Sequence, residues 1–252
     1  MTESYSYESF FSGPVYHEMT STFICELMPW GEMVFHYRKG DILRRRELGG
    51  IYLILSGRVN AKLVSLDGKE VVLYRMERGT ITGETELFLR ERSTLITEVV
   101  EAATVAWIPA AKIQELLQEK PKLNEYFLQS VIRKMNIIIF AMGDICFNDA
   151  LGSVASFLIR QAYLVTAQLN EKKDKPRFEG YYCEKFTHEE IGCRLHLNRV
   201  TVTRVLKLLE DEDLISCVSG AFIIKDIEGM KKYINPIGVE PETSDGELIL
   251  SP

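Results

Sequence analysis

Hydrophobic and polar positions along this chain change period twice. Between Tyr37 and Pro109 the apolar residues fall in short runs punctuated by glycine: IYLILSG (51–57), VNAKLVSL (59–66), EVVLYRM (70–76), LITEVVEA (95–102) and TVAWIP (104–109). Their β-branched and aromatic content predicts strands, and Asp67-Gly68 between two of the runs predicts a hairpin. Many short strands at even spacing predict a β-roll or jelly roll. Pro121 then suits the first turn of a long helix, in which Leu128, Val131, Met135, Ile138, Met142 and Ile145 recur at alternating steps of three and four. That repeat predicts a coiled-coil seam between two copies of the helix. A second stripe, Phe127, Ile132 and Ile139, is expected to face the β-roll of its own subunit or of the partner subunit. Asn148 and Asp149 break the repeat and suit a cap for a following helix, which puts a hinge at Phe147–Asp149.

The second change of period comes at Thr187–Ser216, THEEIGCRLHLNRVTVTRVLKLLEDEDLIS. Thr187 and Glu190 have the spacing of a capping box, so a helix begins there. Gly192 lies where a second helix crosses closely, Leu195-His196-Leu197 makes a short turn, and Asn198 suits the N-cap of that second helix. His196 stands where the turn calls for a positive φ, which histidine tolerates better than most residues. Val202, Val205, Leu206 and Leu209 form one apolar stripe, and Arg199, Thr203, Arg204 and Lys207 occupy the other face. Cap, turn, stripe and basic face agree with a DNA-binding helix-turn-helix whose second helix offers donors to phosphates and base edges. Ser219-Gly220 followed by AFIIKD reads as a β-wing near phosphate.

Composition sets the outer limits. At 252 residues the chain accommodates two modest domains, and 46% apolar with 26% charged residues is a globular balance. The net charge of −6 gives no overall pull toward nucleic acid, so DNA affinity has to be local. Lys185, Arg194, Arg199, Arg204 and Lys207 face only Glu189 and Glu190 within 185–207, whereas Glu210-Asp211-Glu212-Asp213 turns away from phosphate. Met1–Phe11 lacks a basic start and apolar core, and the longest apolar run, 137–142, is far short of a membrane span. A cytoplasmic protein without membrane contact is the expectation. Cys25, Cys146, Cys183, Cys193 and Cys217 contain no CxxC pair, so neither a metal nor an iron-sulfur cluster is expected. A jelly roll also admits a cupin metalloenzyme, but only His17 and His36 lie in that half, while His188 and His196 belong to the DNA motif. The chain therefore reads as a non-enzyme. A thiol sensor using Cys25 or Cys146, and a constitutive DNA-binding protein with an empty barrel, remain open at this point.

The order of these parts resembles the cyclic-AMP receptor protein and fumarate-nitrate regulator (CRP/FNR) family of bacterial transcription factors over residues 20–232. Two stretches carry the resemblance: the helix-turn-helix, with Glu190-Ile191-Gly192, Arg199, Thr201-Val202, Arg204, Leu206-Lys207 and Leu214-Ile215-Ser216, and GETELFLRERS (83–93), which looks like a phosphate-binding cassette. The resemblance implies an α+β protein: an N-terminal arm (1–19), a cyclic-nucleotide-binding-like β-roll (20–118), a dimerisation helix (119–147), a winged helix-turn-helix (148–234) and a tail (235–252). It implies a homodimer with Leu128, Val131, Met135, Ile138, Met142 and Ile145 at the interface, a double-stranded DNA operator, RNA polymerase as a partner, and a small-molecule effector in place of any cofactor. Gly83, Glu84, Arg92, Ser93, Met135, Ile138 and Ile139 are its effector residues, Glu84 accepting from a ribose hydroxyl and Arg92 with Ser93 holding a cyclic phosphate. Thr187, His188, Asn198, Arg199, Val200, Thr201, Thr203, Arg204, Lys207 and Ser219 are its DNA residues.

The departures narrow the expectation. Ile138 and Ile139 stand where cyclic-AMP receptors carry adenine-binding hydroxyls, and two apolar side chains cannot replace those hydrogen bonds. Glu84 and Arg92 also suit a simple pair with each other that closes a loop. Most of the family has glutamate at the position of Val200; RVTVTR (199–204) is closer to the halorespiration regulators of the CprK type. That resemblance implies a small anionic or aromatic effector rather than cyclic AMP.

Overall fold

The computed structural model describes residues 14–43, 49–171 and 181–235. They belong to two compact units, one of residues 14–141 and one from Met142 on. The first unit opens with helix α1 (Pro14–Leu27), whose Met19, Phe23 and Leu27 recur at one helical turn and are buried together. This helix runs across the boundary expected at 19/20. Phe23 meets Phe127 edge-on at 5.2 Å between ring centroids, which ties α1 to the long helix described below. Residues 1–13 of the expected arm, and the expected tail beyond Asn235, lie outside the described residues.

The sheet is built from β1 (Met33–Tyr37), β2 (Gly50–Val64), β3 (Glu70–Met76), β4 (Ile81–Thr82) and β5 (Ile96–Pro109), in the order β1-β5-β2-β3 with β4 on β2. Two pairs of expected short strands are single long ones. The runs 51–57 and 59–66 fuse into β2, and 95–102 and 104–109 into β5. Gly57, read from sequence as punctuation, is a bend within a strand. Its φ is +79°, and a Cβ there would come within 2.2 Å of Ala102 O. The β2–β5 register shifts on both sides of it, so the two strands turn the corner of the roll together. The Asp67-Gly68 hairpin forms as expected, with Gly68 at φ +82°. β1 was not anticipated: its alternating half-exposed pattern is that of an edge strand, which buries too little to stand out.

After α2 (Ala110–Glu119), helix α3 (Pro121–Phe147) runs for 27 residues from the expected proline. Its two faces differ from the expected stripes. Leu123, Tyr126, Phe127 and Ser130 are buried, and Ile137 and Ile138 pack on the core of the roll. Ile132 and Ile139 of the second expected stripe do not pack on their own roll, whereas Ile138 of the expected seam does. The exposed apolar face thus runs Leu128, Val131, Ile132, Met135, Ile139, Met142, Ile145. The helical period accounts for this: residues 128, 132, 135, 139 and 142 alternate steps of four and three, and that phase leaves 127, 130, 134 and 138 on the opposite side.

In the second unit Asp149 caps α4 (Ala150–Glu171), accepting the Gly152 N–H at 2.8 Å as its position suggested. Strand β6 (Tyr181–Lys185), α5 (His188–Leu195), α6 (Arg199–Asp211), β7 (Ile215–Val218), β8 (Ala221–Ile224) and α7 (Ile227–Lys231) follow, with sheet order β6-β8-β7. Val154, Leu158, Ile191, Val202, Leu206 and Leu209 share its core. Among the described residues no helix is long and apolar enough to cross a membrane, and no cluster of three metal ligands occurs.

Among the described residues, Asp144 and Arg160 form a buried ionic contact. Asp144 is completely buried at the end of α3; its Oδ1 accepts from Asn148 Nδ2 at 3.2 Å, and Oδ2 makes a charge contact with Arg160 on α4. Arg160 Nη1 donates to Ser156 Oγ at 2.7 Å. Removing one partner strands the other's charge in the core. Asp144→Ala should therefore cost about 3–5 kcal/mol in urea unfolding; a loss below about 1 kcal/mol would show that water reaches Arg160.

Candidate nucleic-acid interface and ligand pocket

Local chemistry sets the geometry of the helix-turn-helix. The Thr187 hydroxyl accepts the Glu190 N–H at 3.1 Å and the Glu190 carboxylate accepts the Thr187 N–H at 2.7 Å, a reciprocal cap on α5. His196 ends the helix at φ +56°, as the turn required. Gly192 is needed for the turn rather than for the second helix: a Cβ there would meet Leu197 O at 2.4 Å, whereas Val202 stays at ordinary contact distance. Asn198 caps α6 by accepting the Thr201 N–H at 2.8 Å. Val202, Leu206 and Leu209 then hold α6 to the core. The opposite face carries Arg199, Val200, Thr203, Arg204 and Lys207, all exposed, and Val200 has 59% of its surface open to solvent.

Two of the expected DNA residues bind each other. Thr203 Oγ1 donates to Arg199 O at 2.8 Å, so His188 Nδ1, also 2.8 Å from that hydroxyl, has to be the donor to it. His188 thereby joins the start of α5 to the exposed face of α6. The Ser219-Gly220 turn has φ of +53° and +82°, and Val218 pairs with Ala221, a two-residue hairpin of the type whose twist matches its strands. Arg199, Arg204 and Lys207 share one exposed face, and a capped helix presenting cations and one bare apolar side chain suits a major groove.

The first unit holds a separate pocket lined by Leu43, Tyr52, Ala61, Tyr74 and the cassette residues Gly83, Glu84, Glu86 and Ser93, together with Thr82, Thr85 and Thr97. Gly83 (φ +110°) brings the backbone against Gly50 O, and Thr85–Leu89 form a π-helical turn ended by Arg90 at φ +58°. Of the expected effector residues, Gly83, Glu84 and Ser93 line this pocket; Arg92 is exposed and Met135, Ile138 and Ile139 lie outside the lining. Glu84 does not pair with Arg92. It binds the Lys134 ammonium and lies 3.3 Å from Ser130 Oγ, both on α3. Lys134 also donates to Ile81 O at 2.7 Å, with its ammonium 5.8 Å from the Tyr74 ring centroid. Sequence reasoning missed Lys134 and Ser130, although a serine and a lysine one helical turn apart within an apolar helix were a readable sign of an inward polar partner. The thiols give less: Cys183 is buried, donates to Leu158 O at 3.1 Å, and desolvation pushes its pKa up, so it stays protonated.

Comparison with known proteins divides the chain in the same way. Residues 34–120 match the cyclic nucleotide-binding domain family and residues 153–233 the Crp-like helix-turn-helix domain family. The chain is 29% identical over 176 residues to the cAMP-activated global transcriptional regulator CRP of Salmonella typhimurium, spanning 69% of this chain and 80% of that one. It is 28% identical over 179 residues to the cAMP-activated global transcriptional regulator Vfr of Pseudomonas aeruginosa, spanning 69% and 79%. A CooA mutant from Carboxydothermus hydrogenoformans superposes with a TM-score of 0.66 at 21% identity over 80% of this chain and 87% of that one. OCPA-complexed CprK superposes at 0.61 with 15% identity over 83% and 92%. At these identities the superpositions establish the fold.

The capping geometry carries a direct prediction. Thr187→Ala removes the acceptor for one orphan N–H of α5 and should lower the stability of the protein by about 1 kcal/mol in thermal or urea unfolding; an unchanged midpoint would mean that Glu190 and water cap the helix unaided.

Proposed function

The chain belongs to the CRP/FNR family of bacterial transcription regulators, and on that premise we propose that it is a homodimer that binds an inverted-repeat operator under control of a small effector in the β-roll. The observation that carries the reading is the α6 face: Arg199, Val200, Arg204 and Lys207 stand exposed on a capped helix whose other side is the domain core. Arg199 and Arg204 read bases. Thr187, His188, Asn198, Thr201 and Lys207 position the backbone, with Ser219 in the wing. The family consists of regulators rather than enzymes; control of a gene would bring RNA polymerase in as a partner and put the protein at work in the cytoplasm.

The exposed stripe of α3 supports the dimer. An apolar face of this length is costly to leave in water, and two parallel copies cover it along their shared seam. The effector is a small anionic or aromatic molecule. Its support is the pair of tyrosines in the pocket lining, and cyclic AMP is disfavoured because Ile138 and Ile139 stand where the resemblance calls for adenine-binding hydroxyls. Such a ligand controls DNA binding only by the difference in its affinity for the two states of the dimer.

Two experiments test the reading. Light scattering should return a dimer mass for the wild type, and Ile139→Glu, which places a charge on the exposed seam, should give a monomer that loses operator binding at least about tenfold; a wild-type monomer would end the proposal. Ile138→Glu is less informative, because Ile138 packs on its own roll. Selection from a random DNA pool tests the base readout. Val200 has no acceptor for cytosine N4 and its methyls pack on a thymine methyl, so the half-site should favour A·T there, with half-site centres about 34 Å apart. Val200→Glu should shift preference to G·C at that position by about 1–3 kcal/mol, whereas Lys207→Ala should weaken all sequences alike. An unchanged base preference in the Val200→Glu protein would remove Val200 from the readout.

A further inference from the structure

The pocket in the β-roll already contains an acid. Glu86, in the π turn, accepts the backbone N–H of Ser93 on its Oε1 at 3.1 Å, and both residues line the pocket. Ser93 Oγ in turn accepts the Leu95 N–H at 3.1 Å, so the Ser93 loop is folded around this contact. A backbone N–H that opens into a pocket is a favourable seat for an anion, because it is a fixed donor held at the lining. In this structure the group in that seat is the chain's own carboxylate. The other charged anchor is also committed, since the Lys134 ammonium binds Glu84 and the Ile81 carbonyl.

We infer that Glu86 is an internal occupant of the effector's seat, and that the ligand of this pocket is a small aromatic monocarboxylate that displaces Glu86 from Ser93. The inference rests on the effector reading given above and deepens it. A planar carboxylate replaces a planar carboxylate on the same donor without rebuilding the loop. Tyr52 and Tyr74, both buried and both in the lining, supply flat faces for an aromatic ring. The displaced Glu86 takes with it the tie between the π turn and the Ser93 loop, which is how occupancy reaches the cassette. Because the two carboxylates compete for one donor and repel each other, removal of Glu86 strengthens binding of an acid and not of its neutral analogue.

Calorimetry on the full chain tests this with para-hydroxyphenylacetate, its neutral amide and cyclic AMP as probes, against the wild type, E86A, E86Q and E91Q. Para-hydroxyphenylacetate should bind E86A at least about tenfold more tightly than the wild type, the range expected for a hydrogen bond to a charged group. E86Q keeps the size and an acceptor but not the charge, and should fall between; if E86A fails to fold, E86Q alone still reads the effect. E91Q, an exposed change on the same loop, should match the wild type, and neither the amide nor cyclic AMP should gain. Equal binding, or equal lack of binding, of the acid to wild type, E86A and E86Q overturns the inference, as does an equal gain for the amide. A gain for the acid that leaves operator affinity unchanged keeps Glu86 as the occupant and removes effector control, so the two proposals fail separately.

Discussion

Helix α3 has one apolar face to spend on its own subunit, and its phase decides what is left. Leu123, Tyr126 and Phe127 are committed to the core that includes Phe23 of α1. With 3.6 residues per turn, that commitment carries Ser130, Lys134 and Ile138 round to the same side and sends Leu128, Ile132, Met135 and Ile139 outward. The anchoring of Glu84 and the exposed apolar face are thus set by one rotation of one helix. A shift of a single residue in that phase would take Lys134 from Glu84 and bury part of the seam against the roll.

Polar groups in the interior are used for positioning. Lys134 reaches from α3 to Glu84 and to Ile81 O, so the cassette is held by a charge contact as well as by packing. Asp144 and Arg160 join the end of α3 to α4 in the same manner, next to the Asn148 side chain that accepts the Asn235 N–H at 2.7 Å. Such pairs add little net stability over apolar contacts, yet leaving one half unpaired is expensive.

In the DNA-reading unit the chemistry is almost entirely local. Thr187 with Glu190, Asn198 with Thr201, and His196 at positive φ each involve residues within a few positions of one another. Helix starts, the turn and the exposed basic face were therefore legible from the residues. The same holds for the Asp149 cap, the Asp67-Gly68 hairpin and the Ser219-Gly220 wing turn.

What the sequence determined by itself is what depends on neighbours in the chain: caps, turns and the apolar stripe of α6, because each is fixed by spacings of two to four residues. Tertiary structure alone decided the rest. Gly57 is a corner inside a long strand because β2 and β5 pass within a Cβ's reach of each other, between residues some 45 positions apart along the chain that no local pattern links. Glu84 meets Lys134 rather than Arg92 because the sheet brings α3 under the cassette. Ile138 and Ile139 exchange their expected sides for the same reason. Adjacent isoleucines are chemically identical in sequence, and only the surface against which the helix packs distinguishes the buried one from the exposed one.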